Sequence, residues 1–451
     1  MGQFYEYSFE TAQVWQGISE EFLEHKSRLI RLVYIFTGDK FVPMGFRASQ
    51  EGLMLSDQAR LRKGFSNKYS VDWAKSAFTT PSTLKRFWQR KSIQSDTFMA
   101  ICRAIDCDWH DIIETSGNLE GMCYVRRPPI ETECHTEIQK IRALIRIKAP
   151  MKMGKTSLIS ELVNYGRRLE YITIRLNMLQ IEQTVIHHTD KVMRWFCQNI
   201  HRQVHRQIDL GTCHIDSIWD SAYSSNDNCT AYLEDHVLDK VENPVVLAID
   251  NLDRIFPFHE SAVDFLGLLR SWHEDDSENW NKLRIVLAHS TDIYPTLNVE
   301  FSPFNVGKSV QLPEFTLEQI NTLLAFHQIP PSKLSAKQLE TLVGGYPELI
   351  SIAISHLKFY PESNFQNFIE IAPTVNGPYR NHLQRLHQKI DQEASLLEVM
   401  KKLLQSEEPI RISNRELFYL DSLGLIKLSG NRVSMRNQLY HQYFAQSLSL
   451  G

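Results

Sequence analysis

The chain has few cysteines, and they form neither a disulfide framework nor a metal site. Its seven cysteines are an odd number, are scattered over 451 residues and never form a C-x-x-C pair. This pattern argues against a disulfide-stapled secreted fold and against a zinc ribbon, and favours reduced thiols in the cytosol. His201 and His205 have helical spacing, but neither the glutamate nor the third ligand of a zinc site accompanies them.

Long apolar runs are absent as well. No stretch approaches the ~18 residues of a membrane-spanning helix, and residues 1–8 lack the basic and apolar regions of a signal peptide. We therefore expect a cytoplasmic protein with no membrane contact. The content of 43% apolar and 23% charged residues is that of an ordinary globular protein, and the length fits about three domains.

Charge is distributed unevenly along the chain. The whole chain has a net charge of −4, yet residues 57–91 carry nine basic side chains and two acidic ones, a local charge of +7. Such a segment is expected of a module that faces a polyanion, or of a solvated helix face. Residues 56–91 are therefore a candidate for DNA contact.

A phosphate-binding loop is predicted within residues 144–158. A β-branched run before the loop indicates a strand, and apolar residues at helical spacing after it indicate a helix. The loop offers converging backbone N–H groups, the ammonium of Lys155 for the β- and γ-phosphates and the hydroxyl of Thr156 for Mg²⁺. Its residues are Ala149, Pro150, Met151, Lys152, Met153, Gly154, Lys155, Thr156 and Ser157. Ala149 stands where the P-loop pattern begins with glycine, so a Gly-Lys-Thr that merely caps a helix is the alternative.

Two buried strands support the nucleotide site. Residues 245–249 form an uninterrupted apolar run that ends in Asp250, at the strand end where α/β sheets bind ligands. Asp250 is therefore predicted to hold Mg²⁺ together with Thr156. The predicted buried strand at 283–288 is apolar except for Arg284 and is followed by His289 and Ser290, and either residue is a candidate sensor of the γ-phosphate or the attacking water.

Residues 46–116 are predicted to form an all-α bundle of the helix-turn-helix type. A helix near residues 71–77 is followed by a tight turn and by a second helix that opens at Thr80-Pro81-Ser82. The outer face of the second helix would enter a DNA groove, and its candidate DNA-binding residues are Lys85, Arg86, Gln89 and Arg90. Docking of a partner protein is the alternative. Residues 1–45 contain an amphipathic stretch for which no role is predicted.

The pattern becomes helical after the core predicted at residues 131–310, which a linker at 117–130 precedes. Thr316 with Gln319, and Ser335 with Gln338, have the spacing of capping boxes. Residues 375–451 read as helix, short strand at 410–412, helix and hairpin, which is the order of a winged helix.

Eight short stretches carry the pattern of one protein family. They are residues 124–129, 149–158, 249–253, 265–272, 288–291, 302–307, 344–347 and 422–428. Together they resemble the AAA-like domain family of bacterial signalling proteins, in the STAND group of P-loop ATPases. The resemblance implies a multidomain α/β plus α protein: a parallel-sheet P-loop core, a helical lid at 311–374 and a C-terminal winged helix, preceded by the helix-turn-helix-like bundle.

The same resemblance implies ATP and Mg²⁺ as cofactors and assigns further residues to the site. Pro347 would contact the nucleotide from the lid, and Val125 and Arg126 would lie near the base. Ala149 is usual at its position in this family. Arg270 is either a finger that completes a neighbour's site or an arginine at a helix end.

The chain departs from the family pattern at one position of the site. Members commonly carry an acid directly after the metal carboxylate, and this chain has Asn251 there. An amide cannot take a proton from water, and a positioned base is typically worth about 10²- to 10⁴-fold in rate. Hydrolysis of ATP to ADP is therefore expected to be slow, unless Asp253 serves as the base.

Three functions fit these features. The first is an ATP-binding switch in signal transduction, with weak ATPase activity and output through the basic N-terminal bundle. The second is a DNA-binding regulator under nucleotide control. The third is an adaptor that docks an effector protein or self-assembles.

Overall fold

The structure, a computed structural model, divides the chain into two compact units. It describes residues 45–91, 93–107, 112, 124–211, 214–290, 303–360 and 364–448. The units comprise residues 1–123 and 124–451, and each has its own hydrophobic core. The amphipathic stretch predicted near the N-terminus lies outside the described residues.

Short helices form most of the described part of the first unit. They are α1 (Gln50–Arg62), α2 (Val71–Ser76), α3 (Pro81–Trp88) and α4 (Ser95–Ala104). Strand β1 (Gly45–Phe46) pairs antiparallel with β2 (Ile93–Gln94), a contact that the sequence pattern did not predict.

The sequence around Thr80 explains where α3 begins. The Thr80 hydroxyl accepts a hydrogen bond from the N–H of Thr83 at 3.3 Å, and Pro81 occupies the first helical position, where its missing N–H costs nothing. Leu84 and Phe87 are buried in the core of the unit. The opposite face of α3 is consequently left to polar and basic side chains.

The second unit is built on a five-stranded parallel sheet. Its strands are β3 (Leu144–Lys148), β4 (Ile172–Asn177), β5 (Val245–Asp250), β6 (Leu283–His289) and β7 (Lys308–Gln311). Their spatial order is β4-β5-β6-β3-β7, and every pairing is parallel. The predicted parallel α/β core is confirmed. The short edge strand β7 was not predicted, because its alternating sequence lacks the apolar run of the buried strands.

Helices of the second unit flank and follow the sheet. Those up to the end of the core are α5 (Ile130–Ile138), α6 (Lys155–Arg168), α7 (Gln183–Ile186), α8 (Thr189–Val204), α9 (Ile215–Ile218), α10 (Ser225–His236) and α11 (His259–Glu274). Those beyond it are α12 (Leu317–Phe326), α13 (Ala336–Val343), α14 (Pro347–Phe359), α15 (Phe365–Ile371), α16 (Arg380–Asp391), α17 (Ala394–Gln405), α18 (Asn414–Ser422) and α19 (Gln438–Leu448). Both predicted capping boxes are present, and they begin α12 and α13.

The C-terminal residues contain a hairpin of β8 (Ile426–Ser429) and β9 (Arg432–Met435) between α18 and α19. The strand predicted at residues 410–412 is wrong in extent, since only Ile410 bridges to Val433. The side chain of Ser413 already caps α18, which begins at Asn414, so the backbone leaves the extended pairing directly after Ile410.

Two observations concern the described residues as a whole. None of their helices combines the length and the apolarity required to cross a bilayer. They also contain no cluster of three or more histidine, cysteine or acidic side chains arranged to hold a metal ion.

Candidate functional site

Three neighbouring strands end at the same edge of the sheet, and the predicted site residues follow them. The loop 149–154 leaves β3, Asp250 is the last residue of β5, and His289 is the last residue of β6. Strand β6 lies between the other two and pairs with both. Residues more than a hundred positions apart are thereby brought together, as expected for ligand sites of parallel sheets.

The loop turns into helix α6 at Gly154, which has a left-handed backbone with φ of 97°. A Cβ atom at this position would lie 2.5 Å from Nη2 of Arg127, so the guanidinium rests directly on the glycine. Helix α6 begins at Lys155, and the amides of a helix's first turn have no partner within the helix. The loop therefore presents donors suited to an anion at the N-terminus of a 14-residue helix.

Lys155 is buried inside its own loop. Its Nζ donates to the carbonyl oxygens of Ala149 at 2.7 Å and Pro150 at 2.9 Å, and to Oγ of Ser290 at 2.9 Å. Burial lowers the pKa of Lys155 to about 8, against the opposing attraction of Asp253 and Asp250. Lys155 is therefore a buried cation that two backbone carbonyls stabilise, and the carboxylates of Asp253 and Asp250 attract it.

Asp250 is 1% exposed, and its two oxygens differ in their surroundings. Oδ1 accepts the N–H of Asn251 at 2.9 Å, whereas the buried Oδ2 has no hydrogen-bond partner among the described residues. Nη2 of Arg175 approaches Oδ2 only to 4.0 Å. A desolvated carboxylate oxygen without a donor is costly, and a hard divalent cation would compensate it. Asp250 therefore fits Mg²⁺, with the exposed Thr156 on the first turn of α6 as the second predicted ligand.

Asn251 is held as a hydrogen-bond donor. Its backbone is left-handed with φ of 55°, a conformation that asparagine tolerates. Its Nδ2 donates to Oδ1 of Asn177 at 3.0 Å, and that same oxygen also accepts the N–H of Leu179 at 3.0 Å. Because Asn177 Oδ1 acts as an acceptor for both groups, a donating amide at position 251 suits this contact better than a carboxylate would.

Of the two candidates at the end of β6, Ser290 is the one that contacts the loop lysine. Its N–H also donates to Oδ1 of Asp253 at 3.1 Å. The His289 ring instead lies against Phe304, with ring centroids 4.9 Å apart. Ser290 and Asp253 thus belong to the same hydrogen-bonded group as Lys155.

Arg127 is a site residue that the sequence reading missed. It is 4% exposed, its Nε has no partner among the described residues, and its guanidinium lies 4.8 Å from the Phe315 ring as well as against Gly154. The neighbouring Arg126, which was assigned to the site instead, is exposed, while Val125 is buried. The sequence carries no signal that separates Arg127 from Arg126, because the two arginines differ only in their burial.

The C-terminal part of the second unit contacts the loop directly. The Met151 N–H donates to the carbonyl oxygen of Ser422 at 2.9 Å, and the Met151 carbonyl accepts a hydrogen bond from the Tyr346 hydroxyl. Tyr346 also lies against Gly424, whose φ of 77° and lack of a Cβ leave room for the phenol. Lys152 adds an ion pair of 3.5 Å with Glu348, in the first turn of α14.

The other predicted residues have different surroundings. Pro347 is buried and begins α14. Arg270 forms an ion pair of 2.6 Å with Glu274 and also binds Asn305, so it is engaged within its own chain. The candidate DNA-binding residues lie in the first unit, where Lys85, Arg86 and Gln89 are exposed.

Comparison with solved structures gives distant similarities. The Walker-type ATPase PABY2304 of Pyrococcus abyssi is 13% identical over 71% of this chain and 96% of that chain, with a TM-score of 0.49. Cdc6p of Pyrobaculum aerophilum is 13% identical over 73% and 96%, with a TM-score of 0.37. The Aeropyrum pernix Orc1 protein in complex with DNA is 11% identical over 72% and 95%, with a TM-score of 0.35. Similarities of this size say nothing about what the chain binds.

Sequence comparison identifies the family. No curated protein matches the chain significantly. A family profile described as AAA-like domain matches residues 112–446, which is most of the chain and includes the loop, Asp250, Ser290 and Ser422. The chain therefore belongs to the AAA-like domain family.

Proposed function

We propose that the chain is an ATP-dependent switch of the STAND type, in which the phosphate loop binds ATP and residues 375–451, as a winged helix, respond to its state. The observation that best supports this proposal is the position of Met151. Its N–H binds Ser422 and its carbonyl binds Tyr346, so one loop residue is held by two later segments of the chain. A nucleotide that rearranges the loop would act on both contacts.

The groups that we propose to bind the nucleotide lie at the phosphate loop and at the neighbouring strand ends. The first-turn amides of α6 and the Lys155 ammonium would hold the β- and γ-phosphates, and Thr156 with Asp250 would hold Mg²⁺. The metal, when bound, neutralises charge on the phosphates. Ser290 and Asp253 lie beside Lys155 and are suited to orient a water molecule there.

Coupling to the C-terminal residues follows from the bonds of Lys155. Its ammonium holds the carbonyls of Ala149 and Pro150, the two residues before Met151. If the ammonium bound phosphate oxygens instead, both carbonyls would lose their hydrogen bonds. The backbone of the next residue, Met151, would then change, and Ser422 and Tyr346 both bind that backbone. A ligand shifts such an equilibrium by its differential affinity for the two arrangements.

A group of ion pairs joins the segment before α12 to the C-terminal hairpin region. Arg436 binds Glu314 at 3.1 Å and Asp421 at 3.1 Å, and Lys427 binds Glu314 at 2.9 Å. Glu314 precedes α12, whereas its partners belong to the C-terminal hairpin region. Because the Arg436 side chain is only 9% exposed, these bonds are screened less than surface pairs would be.

The switch is tested by limited proteolysis and size-exclusion chromatography of the full chain with Mg²⁺ and a non-hydrolysable ATP analogue, with ADP, and without nucleotide. We expect the cleavage pattern or the hydrodynamic size to differ between these states. Tyr346→Phe, which removes one hydroxyl, should make the nucleotide-free chain resemble the analogue-bound one. Tyr223→Phe, at a tyrosine that is 66% exposed, is the control. Identical behaviour in all three states would argue for a static scaffold.

Nucleotide affinity should fall as the pH rises above about 8. Burial lowers the pKa of Lys155 to about 8, and bound phosphate would raise it again, so binding above this pH must be accompanied by proton uptake. We expect affinity to drop about tenfold between pH 7 and pH 9, because one group must be protonated. Calorimetric titration at pH 8.5 in two buffers of different ionisation enthalpy measures the uptake. Affinity that is constant, or that rises with pH, would contradict this assignment.

Turnover of ATP is expected to be slow. Asn251 follows the metal carboxylate and donates to Asn177, so it cannot take a proton from water. Steady-state phosphate release by the purified chain should stay well below the roughly 10 per second of a median enzyme. Release at many per second, unchanged in Asn251→Ala, would show that this position does not limit the reaction.

DNA binding by the first unit is a second candidate function, and the exposure of Lys85 and Arg86 on α3 and of Gln89 directly after it favours this function. Arg90 contributes less, because its Nε donates to the carbonyl of Ala48. The double variant Lys85→Ala, Arg86→Ala should weaken duplex binding and lower the salt slope by about 2. Lys337→Ala, in an exposed ion pair of the second unit, serves as the control. Absence of salt-sensitive duplex binding in the parent would favour protein docking instead.

A further inference from the structure

A lysine far along the chain lies beside the phosphate loop. Nζ of Lys389, on α16, is 3.4 Å from Sδ of Met151, although the two residues are 238 positions apart. A thioether is only a weak hydrogen-bond acceptor. The contact therefore places an ammonium at the loop without giving it a strong partner there.

The basic side chains around Lys389 on α16 are paired, whereas Lys389 is not. Arg385 lies 3.7 Å from Glu348, and His387 lies 3.4 Å from Asp391. Among the described residues, no carboxylate comes within ion-pair distance of Lys389 Nζ. Burial lowers the pKa of Lys389 although the Asp253 carboxylate attracts the ammonium, so the loss of hydration outweighs this attraction. Such a group is stabilised by an anion that reaches it.

The surroundings of Lys389 also indicate which end of a nucleotide it faces. Met151, which Lys389 contacts, belongs to the same loop that encloses the Lys155 ammonium. Lys155 holds the carbonyls of the two residues before Met151, and the lysine of a P-loop reaches the β- and γ-phosphates. Lys389 therefore lies at the phosphate end of the site.

We infer that Lys389 is a second cation of the nucleotide site and binds the terminal phosphate of a nucleoside triphosphate; this inference rests on the function proposed above. A diphosphate lacks that phosphate and leaves Lys389 without its ligand. Lys389 thus distinguishes ATP from ADP. Since α16 follows the lid segment, this contact also ties the terminal phosphate to the region that carries Ser422.

The test compares Mg²⁺-ATP and Mg²⁺-ADP affinities of the full chain by calorimetric titration. Lys389→Met keeps the aliphatic stem and removes the charge. We expect it to lose roughly 10- to 100-fold in ATP affinity, as for a hydrogen bond to a charged group, while ADP affinity changes less than about threefold. Lys389→Arg should retain most of the preference for ATP. Lys401→Met, at a half-exposed lysine paired with Glu398 on α17, should leave both affinities unchanged.

The outcomes separate this inference from the proposed function. A parent chain that binds neither nucleotide overturns both. A parent that binds ATP, with a Lys389→Met variant that keeps the parental ratio of ATP to ADP affinity, overturns the inference alone. Equal losses for ATP and ADP would likewise assign Lys389 a merely structural role. Thermal unfolding of each variant, together with Lys389→Gln as a second neutral replacement, excludes misfolding as the cause of a loss.

Discussion

Lys155→Ala is expected to weaken Mg²⁺-ATP binding by about 1000-fold, since truncating one partner of a buried, hydrogen-bonded charge pair costs about 2–5 kcal/mol or more. Lys155 is 6% exposed, and its ammonium already lies against Ser290 at the carboxyl end of the sheet. Titration of a fluorescent ATP analogue measures the loss. Lys140→Ala, at an exposed lysine paired with Glu137, should bind as the parent does.

The nucleotide-free stability of the Lys155→Ala chain gives a second readout. The ammonium is held in the loop by three oxygen atoms, and its pKa is lowered by burial. The hydrogen bonds stabilise the folded chain, whereas burial of the charge destabilises it. Removal of the ammonium should therefore change the free energy of unfolding by less than it changes the free energy of ATP binding. ATP affinity within threefold of the parent value would mean that the loop does not hold the phosphates.

Asp250→Asn is expected to act in opposite directions on stability and on metal-dependent binding. The buried Oδ2 has no hydrogen-bond partner among the described residues, so neutralising the carboxylate removes a desolvated charge that no hydrogen bond stabilises at this oxygen and should raise the unfolding temperature. The same change removes a ligand for Mg²⁺, and we expect the metal's enhancement of ATP affinity to fall by on the order of 100-fold.

The comparison needs ATP titrations with Mg²⁺ and with a chelator, together with thermal unfolding of the nucleotide-free chain. Asp276→Asn, at an exposed acid in the loop after α11, is the control for a general loss of charge. An Asp250→Asn chain that is less stable than the parent and keeps its metal dependence would place Mg²⁺ elsewhere.

Sequence patterns predicted those parts of the site that are local. The phosphate loop, the acid at the end of β5 and the capping boxes of α12 and α13 each depend on residues within a few positions of one another. Their physical causes, such as a helix N-terminus or a buried strand that ends in a carboxylate, act at short range. The structure accordingly has the strand, loop and helix, the strand that ends in Asp250 and both capped helices where the patterns placed them, while phosphate and Mg²⁺ binding by these groups stays a prediction.

The contacts that join distant segments were not predictable in this way. Met151 is contacted by Ser422, Tyr346 and Lys389, which lie about two hundred residues or more further along the chain. The sequence around each of these three residues contains no pattern that predicts packing against the loop. Arg127 was missed for a related reason, because two adjacent arginines look alike until the burial of one of them is known.

The edge strand β7 and the choice between the two residues ending β6 show the same limit. Strand β7 is recognised by its parallel pairing with β3, which is a property of the sheet and not of the four residues Lys308–Gln311. Whether Ser290 or His289 faces the loop depends on the direction of each side chain at the end of a fully buried strand. Periodicity cannot report this when both faces of the strand are covered.

Hydrogen–deuterium exchange of the full chain, with and without Mg²⁺ and a non-hydrolysable ATP analogue, tests the central claim most directly, because it follows the loop and its distant contacts together. We predict slower exchange in peptides covering residues 149–157 and, in the same experiment, altered exchange in peptides covering residues 419–425 and the helix that carries Lys389. Unchanged exchange in the loop would contradict nucleotide binding at this site. A protected loop with unaltered C-terminal peptides would contradict the coupling that makes the site a switch.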